Sequence, residues 1–110
     1  MLNYRPLPEC ISIKKSPIDG MGLFANTSLD IGINLGITHL KVYLGGLFPQ
    51  NYCRTPLGGF YNHSDTPNCE LVKRLVVGHT EVLELWTIER IGQGEEITCS
   101  YTLYQIKTHN

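Results

Sequence analysis

The sequence predicts a small, mainly β domain with little helix. Three observations lead there. Apolar residues alternate with polar ones over short stretches, 11 glycines and 6 prolines punctuate the chain, and long amphipathic helical spacing is hard to find. Cys10–Lys14 (CISIK) alternates and reads as a first strand. Ser16-Pro17-Ile18-Asp19-Gly20 is a turn, and Gly22–Ala25 a second short strand. Asn34–Leu44 sets Ile37, Leu40, Val42 and Leu44 among polar residues and reads as a third strand. Gly45–Gly59, with Pro49 and Pro56, reads as a loop-rich insert. Glu70–Val77 and Glu81–Ile88 are the clearest strands, joined by a hairpin turn at Gly78-His79-Thr80. Leu83 and Leu85 share one face of the second of these, with Val82, Trp86 and Ile88 on the other, so burial on both faces is expected. Gly92-Gln93-Gly94 turns the chain into a last strand, Glu96–Cys99.

The 110 residues suit one domain with one modest core, burying roughly two-thirds of its unfolded surface at best. A catalytic site would have to be built from the strands that hold that core. A hydrophobic content of 42% argues against disorder, and a net charge of −1 against a strongly basic nucleic-acid binder. Lys14-Lys15 and Lys73-Arg74 are the only adjacent basic pairs. Residues 1–9 lack the apolar stretch of a signal peptide, and no apolar run reaches membrane-spanning length, so an intracellular chain is expected. Cys10, Cys53, Cys69 and Cys99 form no C-x-x-C pair, which favours free thiols and disfavours a zinc site.

Three segments carry possible chemistry. In SPIDGMGLFA (Ser16–Ala25), Gly20 and Gly22 let a backbone approach a ligand closely. The same residues fit a dinucleotide fingerprint through Ala25, but that site needs a βαβ frame, and Asn26–Gly32 makes a poor crossover helix. GFYNHSDTPNCE (Gly59–Glu70) crowds polar side chains beside aromatics, as a polar loop or a ligand-wrapping loop would. GQGEEITCSY (Gly92–Tyr101) runs from a turn through paired acids to a tyrosine. Taken singly, each is better explained as ordinary turn or core structure.

Together, in this order and spacing, the three resemble the conserved blocks of the SET-domain lysine methyltransferases: a G-x-G segment, an N-H-S segment continuing to Pro67-Asn68-Cys69, and a G-E-E-I-T-x-x-Y segment. The resemblance implies a β-clip-like fold of small twisted sheets with a C-terminal pseudoknot, where the second and third segments cross. It implies S-adenosylmethionine as methyl donor, S-adenosylhomocysteine as product, and a protein lysine as acceptor. Gly20, Met21 and Gly22 would contact the donor's methionine portion through their backbone. Asn62 would bond the donor through its side chain, and His63 would present backbone groups to the adenine while its ring serves the structure. Tyr101 matches the catalytic tyrosine. Asn68 would shape its loop, and Glu95 and Glu96 would support the crossing.

The lysine channel needs apolar and aromatic walls. Tyr43, Tyr52, Tyr61, Trp86 and Tyr104 are candidates, with Tyr61 and Tyr104 nearest the matched blocks. Cys99 and Leu71 stand where family members often place the aromatic that governs methyl number, so addition of more than one methyl is expected. Asp65 replaces a cysteine often used for zinc after N-H-S, and cysteine-rich flanking segments are not seen; no metal is expected. The chain thus resembles the minimal SET proteins of viruses, a single domain over residues 1–110. Such members can dimerise to complete a substrate groove, an option the sequence leaves open. Histone tails or other proteins are the expected partners, with no direct nucleic-acid or membrane role. Two rival readings stand beside the enzyme: a SET-like protein-binding module without catalysis, and a structural β domain with coincidental motifs.

Overall fold

A computed structural model describes residues 7–44, 48–76, 80–100 and 107–108. The described strands form two sheets. The first has the order β1-β2-β8-β5, built from β1 (Ile11–Lys15), β2 (Met21–Ala25), β5 (Asn62–His63) and β8 (Glu96–Cys99). The second has the order β4-β3-β7-β6-β9, built from β3 (Asn34–Leu44), β4 (Phe48–Arg54), β6 (Cys69–Val76), β7 (Thr80–Thr87) and β9 (Lys107–Thr108). The expected mainly β architecture with little helix is what the chain adopts.

β1 and β2 form an antiparallel hairpin from Ile11↔Ala25 to Lys15↔Met21. Its turn closes where Ser16 N donates to Gly20 O at 2.7 Å. Gly20 sits at φ +45°, the left-handed region where a Cβ is costly. β8 then pairs with β2 through Leu23↔Ile97 on one side. On its other side it runs parallel to β5, with Asn62↔Thr98 and His63↔Cys99. Asn68 extends that contact: Nδ2 donates to Glu96 O at 2.8 Å, and Oδ1 accepts from Thr98 N at 2.9 Å. Its side chain therefore satisfies two β8 backbone groups that the two-residue strand β5 cannot reach.

In the second sheet, β6 and β7 pair antiparallel from Cys69↔Thr87 to Val76↔Thr80, as a hairpin requires. The expected turn residues Gly78 and His79 lie outside the described residues. β7 is buried on both faces, as expected, with Val82 at 1%, Leu83 and Leu85 at 0% and Glu84 at 6% exposure. The buried Glu84 carboxylate is met by Arg74 Nη1 at 3.2 Å and Asn34 Nδ2 at 3.1 Å, which offsets the cost of its desolvation. Ile88 falls just beyond the strand and is exposed.

The expected loop-rich insert at Gly45–Gly59 is corrected. It contains β4, which pairs with β3, and a short helix, α1 (Pro56–Phe60). Pro49 is tolerated because β4 is at the sheet edge in the described order, where a missing N–H breaks no second ladder. Thr55 caps α1, its Oγ1 accepting from Gly58 N at 3.3 Å, and Pro56 occupies the first turn.

One apolar core joins the elements. Leu23 and Ile97 from the first sheet, Leu71, Leu83 and Leu85 from the second, Leu57 from α1, and the loop residues Leu29 and Ile91 pack together. Each such leucine or isoleucine contributes roughly 1.5–3 kcal/mol on burial. Among the described residues no helix is long and apolar enough to cross a membrane.

Candidate active site

The two-residue strand β5 brings Asn62 beside β8, and β2 brings the glycine turn to the opposite side of the same strand. Asn62 is 7% exposed. Its Nδ2 donates to Glu96 Oε2 at 2.7 Å, to Asp19 O at 3.1 Å and, more weakly, to Met21 O at 3.4 Å. Glu96 also accepts from Ser16 Oγ through both carboxylate oxygens, at 2.7 and 2.8 Å. Ser16 Oγ in turn accepts from Ile18 N at 2.9 Å. Ser16, Asp19, Met21, Asn62 and Glu96 thus form one polar network between the turn and the paired strands.

Gly22 lies over this network. A Cβ there would overlap Glu96 Oε2 and stand 3.1 Å from Asn62 Nδ2. Its side-chain space is therefore taken by the protein's own polar groups. Around Gly20, by contrast, an added Cβ would meet nothing within 4 Å, so φ alone calls for glycine there. Met21 is 47% exposed and Ile18 52%, so the rim of the turn presents apolar side chains outward.

Nδ2 of Asn62 faces acceptors only, so Oδ1 turns away from them. That oxygen accepts no hydrogen bond among the described residues. The oxygen is therefore open to accept from a ligand or from water. A ligand amine or hydroxyl reaching the glycine turn would satisfy it.

His63 continues β5, paired with Cys99, and its Nε2 lies 3.2 Å from Asp65 Oδ1. Ser64 N donates to Cys99 O at 3.3 Å, which extends the contact toward Ser100. Tyr101 and Tyr104 lie outside the described residues. Tyr61, Leu71 and Cys99 all belong to the buried core, at 7%, 5% and 2% exposure. Tyr61 meets the His39 ring edge-on, with centroids 6.5 Å apart. Tyr43 and Tyr52 lie on β3 and β4, in the second sheet.

Three groups near these residues titrate abnormally. Burial pushes the Cys69 thiol up to about 12, with the neighbouring Cys99 adding to it. Burial likewise raises Cys99 to about 11, while backbone N–H groups of Ser100 and Leu71 pull the other way. Both remain protonated at neutral pH and are poor nucleophiles. Burial and the nearby Arg54 hold the His39 ring below its usual value. Thr38 Oγ1 gives its hydrogen to Leu83 O at 3.1 Å, so His39 Nδ1, 2.8 Å away, is the donor to Thr38. Among the described residues, no group of three or more potential metal ligands is found.

The residue that sequence reading left in the background is Ser16. It reads as a turn former, and nothing local signals a carboxylate partner 80 residues away.

The family model described as SET domain matches residues 37–102, more than half of the chain. The glycine turn precedes the matched span. A similar fold occurs in the crystal structure of a Plasmodium falciparum protein described as a candidate histone methyltransferase: TM-score 0.72 at 22% identity, covering 88% of this chain and 96% of that one. A humanized mutant of the Chaetomium thermophilum Polycomb Repressive Complex 2, bound to an inhibitor, matches with TM-score 0.67 at 19% identity. That match covers 83% of this chain but 14% of the other. An apo form of the fungal complex with substitutions in Ezh2 matches with TM-score 0.66 at 18% identity, over 83% of this chain and 15% of the other. No curated protein sequence matches the chain.

Proposed function

This chain belongs to the SET-domain family, and from that premise we propose that it is a protein-lysine methyltransferase using S-adenosylmethionine. The observation that carries the reading is the convergence of the glycine turn and Asn62 on β8, the strand that leads to Tyr101, with Asn62 Oδ1 receiving no donor among the described residues. The bound donor would supply a methyl group made electrophilic by its sulfonium.

The chain's own residues must then do two things. They must let the lysine shed its proton, and they must aim its lone pair. A lysine near pKa ~10.4 costs about 4 to 5 kcal/mol to neutralise at pH 7. A dry channel and a nearby positive charge both favour the neutral amine. Attack by the nitrogen forms the C–N bond as the C–S bond breaks, leaving a neutral thioether. The Tyr101 hydroxyl, with backbone carbonyls about it, would orient the acceptor, and such positioning can supply a large share of the rate. No thiol nucleophile is required, which agrees with the raised Cys69 and Cys99.

Cys99 and Leu71 offer no hydroxyl to tether a water or a partly methylated amine. We therefore read the enzyme as adding more than one methyl. Mass spectrometry of a saturated reaction is the check: a product that stops at monomethyl-lysine refutes it.

The main test is transfer of labelled methyl to proteins in a cell lysate. Tyr101→Phe should keep the fold and donor binding while lowering transfer by about 100-fold or more, the cost of a misplaced reacting group. Unchanged transfer would remove Tyr101 from its role. A wild-type chain that binds no donor in calorimetry would favour the inactive protein-binding module instead.

A further inference from the structure

Among the described residues, the bonds that the Glu96 carboxylate receives all come from the glycine turn or from the residue that faces it. Ser16, which opens the turn, reaches both carboxylate oxygens, and Asn62 reaches Oε2. The second Nδ2 hydrogen of Asn62 is shared between the carbonyls of Asp19 and Met21. The strand pairing that holds β8 is a matter of backbone: it runs through Leu23↔Ile97 and Phe24↔Glu96 on one side and through Asn62↔Thr98 and His63↔Cys99 on the other, and none of it passes through the Glu96 carboxylate. The carboxylate therefore fastens the turn rather than the sheet.

We propose that Glu96 is a positioning residue for the methyl donor: its carboxylate ties down the 16–22 turn through Ser16 and fixes the Asn62 amide so that Oδ1 faces the ligand. The proposal rests on the methyltransferase reading of this site. An amide can rotate by half a turn and exchange its oxygen and nitrogen. Here the 2.7 Å charge-assisted bond to Glu96 is the strongest contact that selects one orientation. Without it, the amide nitrogen keeps only carbonyl acceptors at 3.1 and 3.4 Å. The Ser16 hydroxyl would also lose its only acceptor in the network while still receiving Ile18 N. Gly22 leaves room for the carboxylate, since any side chain at that position would occupy its place.

Glutamine is the informative replacement. Its Oε1 can accept from Asn62 Nδ2, and its Nε2 can donate to Ser16 Oγ, so the connections survive without the charge. Alanine removes them all.

The test uses the full chain and S-adenosylhomocysteine as probe. Calorimetry gives its affinity, and amide hydrogen exchange reports the Ile18 N–H against amides of β2 and β8. Glu96→Ala should bind the probe at least about tenfold more weakly, with Glu96→Gln within about threefold of wild type. Ser16→Ala should fall between them. In Glu96→Ala the Ile18 amide should exchange faster while β2 and β8 amides keep their protection. Wild-type affinity in Glu96→Ala would overturn the proposal. So would β2 and β8 amides that lose protection as fast as Ile18, which would make Glu96 a general stabiliser. A wild type that binds no probe would instead overturn the methyltransferase reading and the donor role with it; Ile18 exchange would still decide whether Glu96 orders the turn.

Discussion

Replacing Asn68 by alanine should be among the more damaging single changes near the site, although Asn68 is only half-buried. Its side chain serves as a substitute strand for β8, giving a hydrogen to Glu96 O at 2.8 Å and taking one from Thr98 N at 2.9 Å. Alanine leaves both backbone groups unpaired. Each orphaned buried polar group costs about 1–3 kcal/mol, and partial access of water favours the lower half of that range, so the pair should cost about 2–4 kcal/mol. That is a large part of the ~5–15 kcal/mol that usually holds a domain together. Urea denaturation followed by Trp86 fluorescence would measure it. Aspartate at the same position supplies a sharper version. Ionised, it still accepts from Thr98 N but turns a second acceptor toward Glu96 O; protonated, it can donate to that carbonyl. The folded state of Asn68→Asp should therefore hold its proton more tightly than the unfolded state. Its stability deficit against wild type should shrink as pH falls from neutral through the raised folded value. A loss under about 0.5 kcal/mol for Asn68→Ala, within the range of ordinary surface changes, would refute the reasoning. An aspartate variant with no such pH trend would do the same.

The remaining predictions concern α1 and the buried histidine. Gly58→Ala should destabilise by about 2 kcal/mol or more. Its Cβ would overlap the Thr38 carbonyl, which already accepts from Thr55 N at 2.8 Å and cannot easily move. Gly59→Ala, with open space around the new methyl, should be neutral or gain up to about 1 kcal/mol; equal thermal shifts for the two would contradict the packing described here. Because His39 is held below its usual value of 6.5, the unfolded chain takes up a proton there first as pH drops. The contribution of neutral His39 is present above 6.5 and is lost as pH falls below it. His39→Gln should flatten the stability profile in that acid window, and a profile with the wild-type slope would exclude His39 as its source.

The elements that could be read from sequence are those whose cause is local. Asn34–Leu44 and Glu96–Cys99 carry their alternation and end signals within their own residues, and the chain forms strands at those positions. The hairpin turn at Ser16–Gly20 needed only a serine, a proline and a glycine able to take positive φ. β4 was missed because Pro49 signals a loop unless the strand is known to lie at an edge. The α1 cap was legible in Thr55-Pro56, but the two glycines that follow weaken any helix expectation.

By itself, the order of the glycine, Asn-His-Ser and Gly-Glu-Glu segments determined the family, because short motifs survive in sequence wherever their backbone geometry is demanding. Only the tertiary structure decided what Gly22 is for, that Ser16 and Asn62 share one carboxylate, and that β5 exists as a strand. Two residues such as Asn62 and His63 have no strand-forming tendency of their own; they become one because β8 offers them hydrogen bonds. The Ser16–Glu96 bond likewise joins residues 80 apart, and a contact of that separation exists only after β8 has paired with β2 and come alongside the turn that closes the β1–β2 hairpin.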